Sequence, residues 1–137
     1  MTQIGLRRDL VIVACAISAG IHGALTPEHF AEGRGPGMGF AASTLVLLAI
    51  AVAVTLRPAS TLALTAALAT LIGLLVAYGL AITIGVPVLH PEPEPIDGLA
   101  LATKAIELVG VLAAWSLVRR PSVALIDNPH LKGTSTT

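Results

Sequence analysis

"GIHGALTPEHFAEGRGPGMGF", Gly20–Phe40, separates the first apolar run of this chain from the second, and its reading decides how the chain turns back on itself. Before it lies Leu10–Leu25 and after it Gly39–Leu56, both built mainly from Ala, Val, Leu and Ile. Runs of this kind have about the 20 residues, with some latitude, that cross a bilayer as a helix. The stretch between them gathers His22, Glu28, His29, Glu32 and Arg34 into a chain otherwise poor in such groups. Much of it has a structural explanation. Thr26 suits an N-cap, Pro27 the first helical position, and Glu28 the positive end of a helix dipole. Gly33 suits a C-terminal stop. These residues predict a short interfacial helix in the first outer loop, with Phe30 turned to lipid or protein. The glycine run Gly33–Gly39 lacks the Gly-Lys-Ser/Thr ending of a phosphate cradle and reads as a flexible linker.

Working outward, two more runs are long enough to span, Ser60–Ile84 and Ile96–Val118. Arg57-Pro58 ends the second span. "GVPVLHPEPEP" (Gly85–Pro95) separates the third from the fourth, because each proline removes a donor and restricts its predecessor. "RRPS" (Arg119–Ser122) stops the fourth. The expected fold is all-α: an integral membrane four-helix bundle with spans at about 10–25, 39–56, 60–84 and 96–118, forming one domain over residues 1–118. Residues 119–137 are expected to be a flexible cytoplasmic tail.

Composition agrees. Apolar residues make up 55% of the 137 and charged ones 12%, against about 25% charged in soluble domains. A soluble domain of this length could not bury so much apolar surface. The formal net charge is zero, which argues against nucleic acid as a partner. Aromatics amount to 3%, so the usual interfacial belts are nearly missing and packing must come from small residues. Cys15, the single cysteine, lies inside the first span and has no intrachain partner for a disulfide.

Orientation follows from the basic residues. Arg7, Arg8, Arg57, Arg119, Arg120 and Lys132 fall on one side, while Arg34 alone lies in the opposite loops. The positive-inside rule then puts both termini in the cytoplasm of a multi-pass protein of the bacterial plasma membrane, with the lipid bilayer as its first partner. Arg7-Arg8 followed by an apolar stretch also has the form of a signal peptide. An uncleaved anchor fits the three following spans better. Rows of small residues at four-residue spacing, Cys15/Ala19/Gly23 and Ala16/Gly20/Ala24, suit close helix packing within a bundle, a homo-oligomer or a partner complex. Alanine is common enough here that neither row by itself marks an interface.

Polar groups inside a bilayer are costly and need a reason. Glu107 lies about 16 Å into the fourth span at 1.5 Å rise per residue, near mid-membrane. Lys104, three residues earlier, shares its helical face and can form an ion pair with it. Neutralisation within the helix and a proton- or cation-binding role are both open. At the outer end, His29 and Glu32 are three apart, Glu28 and Glu32 four apart, and His22 approaches from the first span. Imidazole with carboxylate suits a transition metal such as Zn or Cu, so His22, His29, Glu32 and Glu28 form the candidate ligand set. The spacing is not a strong metal signature. His90, Glu92, Glu94 and Asp97 of the second outer loop are expected on the same face.

The pattern His22-x-x-x-x-Pro27-Glu28-His29-x-x-Glu32, followed by Gly37-x-Gly39-Phe40, resembles small four-span bacterial membrane proteins from high-GC genomes. In those, a pattern like Thr83-x-Gly85-x-Pro87 follows the third span and a glutamate like Glu107 lies in the last. The likeness covers most of residues 10–118. It implies architecture and no activity, and it implies that His22, Glu28, His29, Glu32 and Glu107 belong together. Lys104 and the glycine run around Arg34 are not part of it.

The favoured reading is a binding or transport-accessory membrane protein that holds a transition metal or relays protons at the outward His/Glu cluster. The alternative is a non-catalytic structural subunit or assembly factor of a larger membrane complex. An intramembrane enzyme ranks last, because no Ser–His, two-aspartate or His-Glu-x-x-His arrangement lies within the spans.

Overall fold

The computed structural model describes residues 2–86 and 93–119 and consists of four helices: α1 (Gln3–Glu32), α2 (Arg34–Leu56), α3 (Thr61–Thr83) and α4 (Gly98–Val118). All four are long and apolar enough to cross a bilayer, so the chain is a multi-pass membrane protein. His90, Glu92 and the tail beyond Arg119, each named above on sequence grounds, lie outside the described residues.

Local chemistry sets most of the helix ends. The Thr2, Ser60 and Asp97 side chains accept from Gly5, Ala63 and Ala100 N–H at 3.3, 3.2 and 2.8 Å, capping α1, α3 and α4. Each satisfies a donor that the first helical turn leaves orphaned. At the end of α3, Gly85 takes φ 71°, the left-handed conformation that a residue with a Cβ adopts only at a cost.

The expected break near Thr26 does not occur. Thr26–Glu32 is helical, but it continues α1 rather than forming a separate element, and Thr26 is no N-cap. Pro27 withholds one backbone donor, and next to it the Thr26 hydroxyl donates to the His22 carbonyl at 2.8 Å. The carbonyl that loses its donor is that of Gly23, one residue on, and a membrane helix tolerates an internal proline where its neighbours cover the freed group. At 30 residues, α1 is about 45 Å long, so it outruns a hydrocarbon core of about 30 Å. The stop at Gly33 is found as expected, its N–H donating to the His29 carbonyl at 3.1 Å. The linker expected over Gly33–Gly39 is instead one residue long, because α2 already begins at Arg34. The reason is contact. Gly37 is buried directly against the Phe30 ring, where an added Cβ would come within 2.8 Å of Phe30 Cα.

The bundle is antiparallel. Phe30 meets Gly37, and about two turns further along both helices Gly23 meets Thr44. α1 packs on α2 and on α4, and α3 packs on α4 but only thinly on α2. Of the two small-residue rows, Cys15 and Ala19 are buried and Gly23 abuts α2, whereas Ala16, Gly20 and Ala24 face outward. Large apolar side chains such as Leu62 (81% exposed) and Leu45 (69%) cover the outside, as suits a lipid-facing surface.

Gly110 marks a close approach of three helices in the middle of the bundle. A Cβ there would lie 2.7 Å from Ala14 Cβ and 2.8 Å from Leu71 Cδ1, so α1, α3 and α4 meet where only hydrogen fits. Gly110→Ala should therefore lower stability by about 1–3 kcal/mol through overpacking. Gly73→Ala, where the added methyl meets nothing within 4 Å, should be neutral or stabilise by up to about 1 kcal/mol. Unfolding in mixed micelles titrated with denaturing detergent checks the contrast.

Candidate functional site

Glu107 sits halfway along α4 and Ser18 halfway along α1, and both side chains are wholly buried. The Ser18 hydroxyl donates to Glu107 Oε1 at 2.6 Å. The Lys104 ammonium donates to Oε2 at 2.8 Å, with 15% of its side chain exposed. The expected intrahelical pair is therefore present, and each carboxylate oxygen has one donor. A buried carboxylate without such partners would be strongly disfavoured.

One turn beyond Ser18, His22 is nearly buried, and its Nδ1 lies 2.8 Å from the Ser18 carbonyl. A carbonyl can only accept, so Nδ1 carries the hydrogen and Nε2 of the neutral ring keeps its lone pair. Ser18 Oγ lies 3.4 Å from the same Nδ1. His29 repeats the arrangement with its Nδ1 2.9 Å from the Leu25 carbonyl. Between the two imidazoles stands Phe40 of α2. Its ring centroid is 3.5 Å from that of His29, nearly parallel, and 5.1 Å from that of His22.

These groups line one cavity of about 610 Å³ at the bundle end where α1 joins α2 and α3 approaches α4. His22, Glu28, His29 and Glu32 of α1 all face it, with Phe40, Tyr78 and Lys104 from the other helices. Glu94 and Asp97 line it too, as expected for the second loop. Asp97, however, uses its carboxylate to cap α4. Tyr78 holds its ring 5.4 Å from the Lys104 ammonium, and its buried hydroxyl has no partner among the described residues.

The candidate ligands thus share a chamber without converging. Among the described residues, no three His, Cys, Asp or Glu side chains are grouped so as to hold a metal ion. Both histidine Nδ1 atoms are engaged by carbonyls of α1, and Phe40 occupies the space between the rings. Ser18, Phe40 and Tyr78 had no assigned role on sequence grounds. Ser18 could have been found as a polar residue four before His22, on the same face of an apolar helix. The contacts of Phe40 and Tyr78 depend on how separate helices dock and leave no local signal.

Toward the opposite end the core is apolar, with Val11, Leu47, Val54, Leu68 and Leu71 in one cluster. The buried polar side chains among the described residues are Ser18, His22, Thr103 and Glu107. Polarity therefore reaches Glu107 from the cavity and stops there. Comparison with known protein families, curated proteins and solved structures returns no match.

Losing one member of the Lys104–Glu107 pair should cost more than losing both. Glu107→Leu leaves an ammonium without its counter-ion and should destabilise by about 3–5 kcal/mol, while Lys104→Leu/Glu107→Leu should recover most of that loss. The same detergent titration measures it as a double-mutant cycle.

Proposed function

We propose that this protein takes up and releases protons at Glu107, through a vestibule open at one end of the bundle. The observation that carries the reading is a wholly buried carboxylate with two neighbours that communicate with the cavity. Lys104 lines the cavity and bonds Oε2 directly. His22 lines the cavity and approaches Oε1 through Ser18. An imidazole that accepts at Nε2 and donates at Nδ1 is a natural proton carrier. Its Nδ1 hydrogen, held by the Ser18 carbonyl at 2.8 Å, would pass on by turning to the hydroxyl 3.4 Å away, which accepts one proton and gives up another. The apolar core on the far side gives this conformation one-sided access, as a proton-binding or coupling site requires. Transition-metal binding at His22, His29, Glu28 and Glu32 has less support, because these groups do not converge. The arginine distribution turns the vestibule to the outside of the plasma membrane.

Infrared difference spectroscopy of the full-length protein in liposomes, stepped across about pH 4 to 10, tests this by following the carboxylic acid band. A band that appears on acidification should vanish in Glu107→Gln. Ser18→Ala, which removes the bond to Oε1, should shift its frequency. A pH-dependent band identical in wild type and Glu107→Gln would refute the reading.

A further inference from the structure

The vestibule is built for more than a proton. Its volume of about 610 Å³ falls in the range of about 300–1,000 Å³ typical of small-molecule sites. Its lining is also unusual for this chain. Only 3% of the residues are Phe, Trp or Tyr, yet Phe40 and Tyr78 both face the cavity, with the His29 imidazole stacked on Phe40. Four carboxylates, Glu28, Glu32, Glu94 and Asp97, surround the same space. Among the described lining residues Lys104 is the one lysine or arginine, and its charge is already answered by Glu107 at 2.8 Å. Asp97 is committed to capping α4, which leaves Glu28, Glu32 and Glu94 to set the field at the rim. Between rim and floor the walls are apolar, with Leu25, Leu74 and Leu99.

Carboxylates above, aromatic rings within and aliphatic walls around are the chemistry that recognises an organic cation with an apolar body. An inorganic ion would leave the aliphatic walls without a partner, and an anion would meet the acidic rim first. We propose that the vestibule binds a small organic ammonium ion with an apolar body, its charge held by Glu28, Glu32 and Glu94 and its body against Phe40 and Tyr78. The inference rests on the vestibule being the working end of the protein, as argued above, but does not require Glu107 to titrate.

The test uses full-length protein in nanodiscs and isothermal titration with three probes of similar shape. These are phenyltrimethylammonium, its neutral isostere tert-butylbenzene, and anionic 4-tert-butylbenzoate. The cation should bind at least about tenfold more tightly than the isostere, and the anion should be weakest. Glu28→Gln/Glu32→Gln/Glu94→Gln should abolish the preference for the cation. Phe40→Leu, which touches the apolar body, should weaken the cation and the isostere alike. Since Phe40 also packs between two histidines, the single variant Glu32→Gln, at an exposed helix end, gives a second reading with little risk to folding. Equal binding of cation and isostere, or an unchanged preference in the folded triple variant, would overturn the proposal. Repeating the titration in buffers of different ionisation enthalpy separates the two ideas. Cation binding without proton exchange supports the site while counting against proton coupling through Glu107.

Discussion

A carboxylate at mid-depth in an apolar bundle is expensive unless every lone pair that matters finds a donor, and much of the interior here is arranged around meeting that demand for Glu107. Lys104 comes from the same helix and is delivered by helical periodicity alone. Ser18 comes from α1, and it can reach Glu107 at 2.6 Å only because α1 and α4 approach closely. That approach is made one turn away, where Gly110 faces Ala14 without room for a methyl group. The small residue and the buried charge are thus parts of one arrangement. Gly110 lets the backbones close, and the closure gives the carboxylate its second donor.

The same arrangement divides the bundle into two halves. From Glu107 to the α1–α2 corner, helices with polar residues enclose a chamber with histidines, acids and aromatic rings. From Glu107 to the opposite end, the buried cluster is aliphatic. The continuity of α1 through Pro27 matters to this division. It carries Glu28, His29 and Glu32 on one unbroken helix, so they stand as a wall of the chamber rather than on a loop. Phe40, wedged between His22 and His29, keeps the two imidazoles apart and fixes their faces. The two histidines of this chamber are thus individually held, and its His and acid groups are not gathered on a point.

Four spans, the approximate limits of the last two and the Lys104–Glu107 pair were legible in the residues, because hydropathy, proline breaks and three-residue spacing are local properties. So was the stop at Gly33. By contrast, α1 runs about seven residues past its expected limits at each end and α2 starts five residues early. The local rules misled at Thr26-Pro27, where an N-cap followed by proline is the usual start of a helix. Here the chain was already helical, and it continues through Pro27 with Thr26 bonded back to the preceding turn. They misled again over Gly33–Gly39, since propensity assigns glycine to loops while packing against Phe30 rewards it in a helix.

The sequence by itself determined that this chain crosses the membrane as four helices and that one of them carries a charged pair to mid-depth, because span length and same-helix neighbours are set along a single axis. Only the tertiary structure decided which face of each helix turns inward. It chose the Cys15/Ala19/Gly23 row over Ala16/Gly20/Ala24, joined Ser18 to Glu107, and set Phe40 between two histidines. Rotation of a helix about its axis costs nothing in hydropathy when every face is apolar. It is settled by where backbones can approach and where buried polar groups find partners, and both depend on residues far apart in the chain.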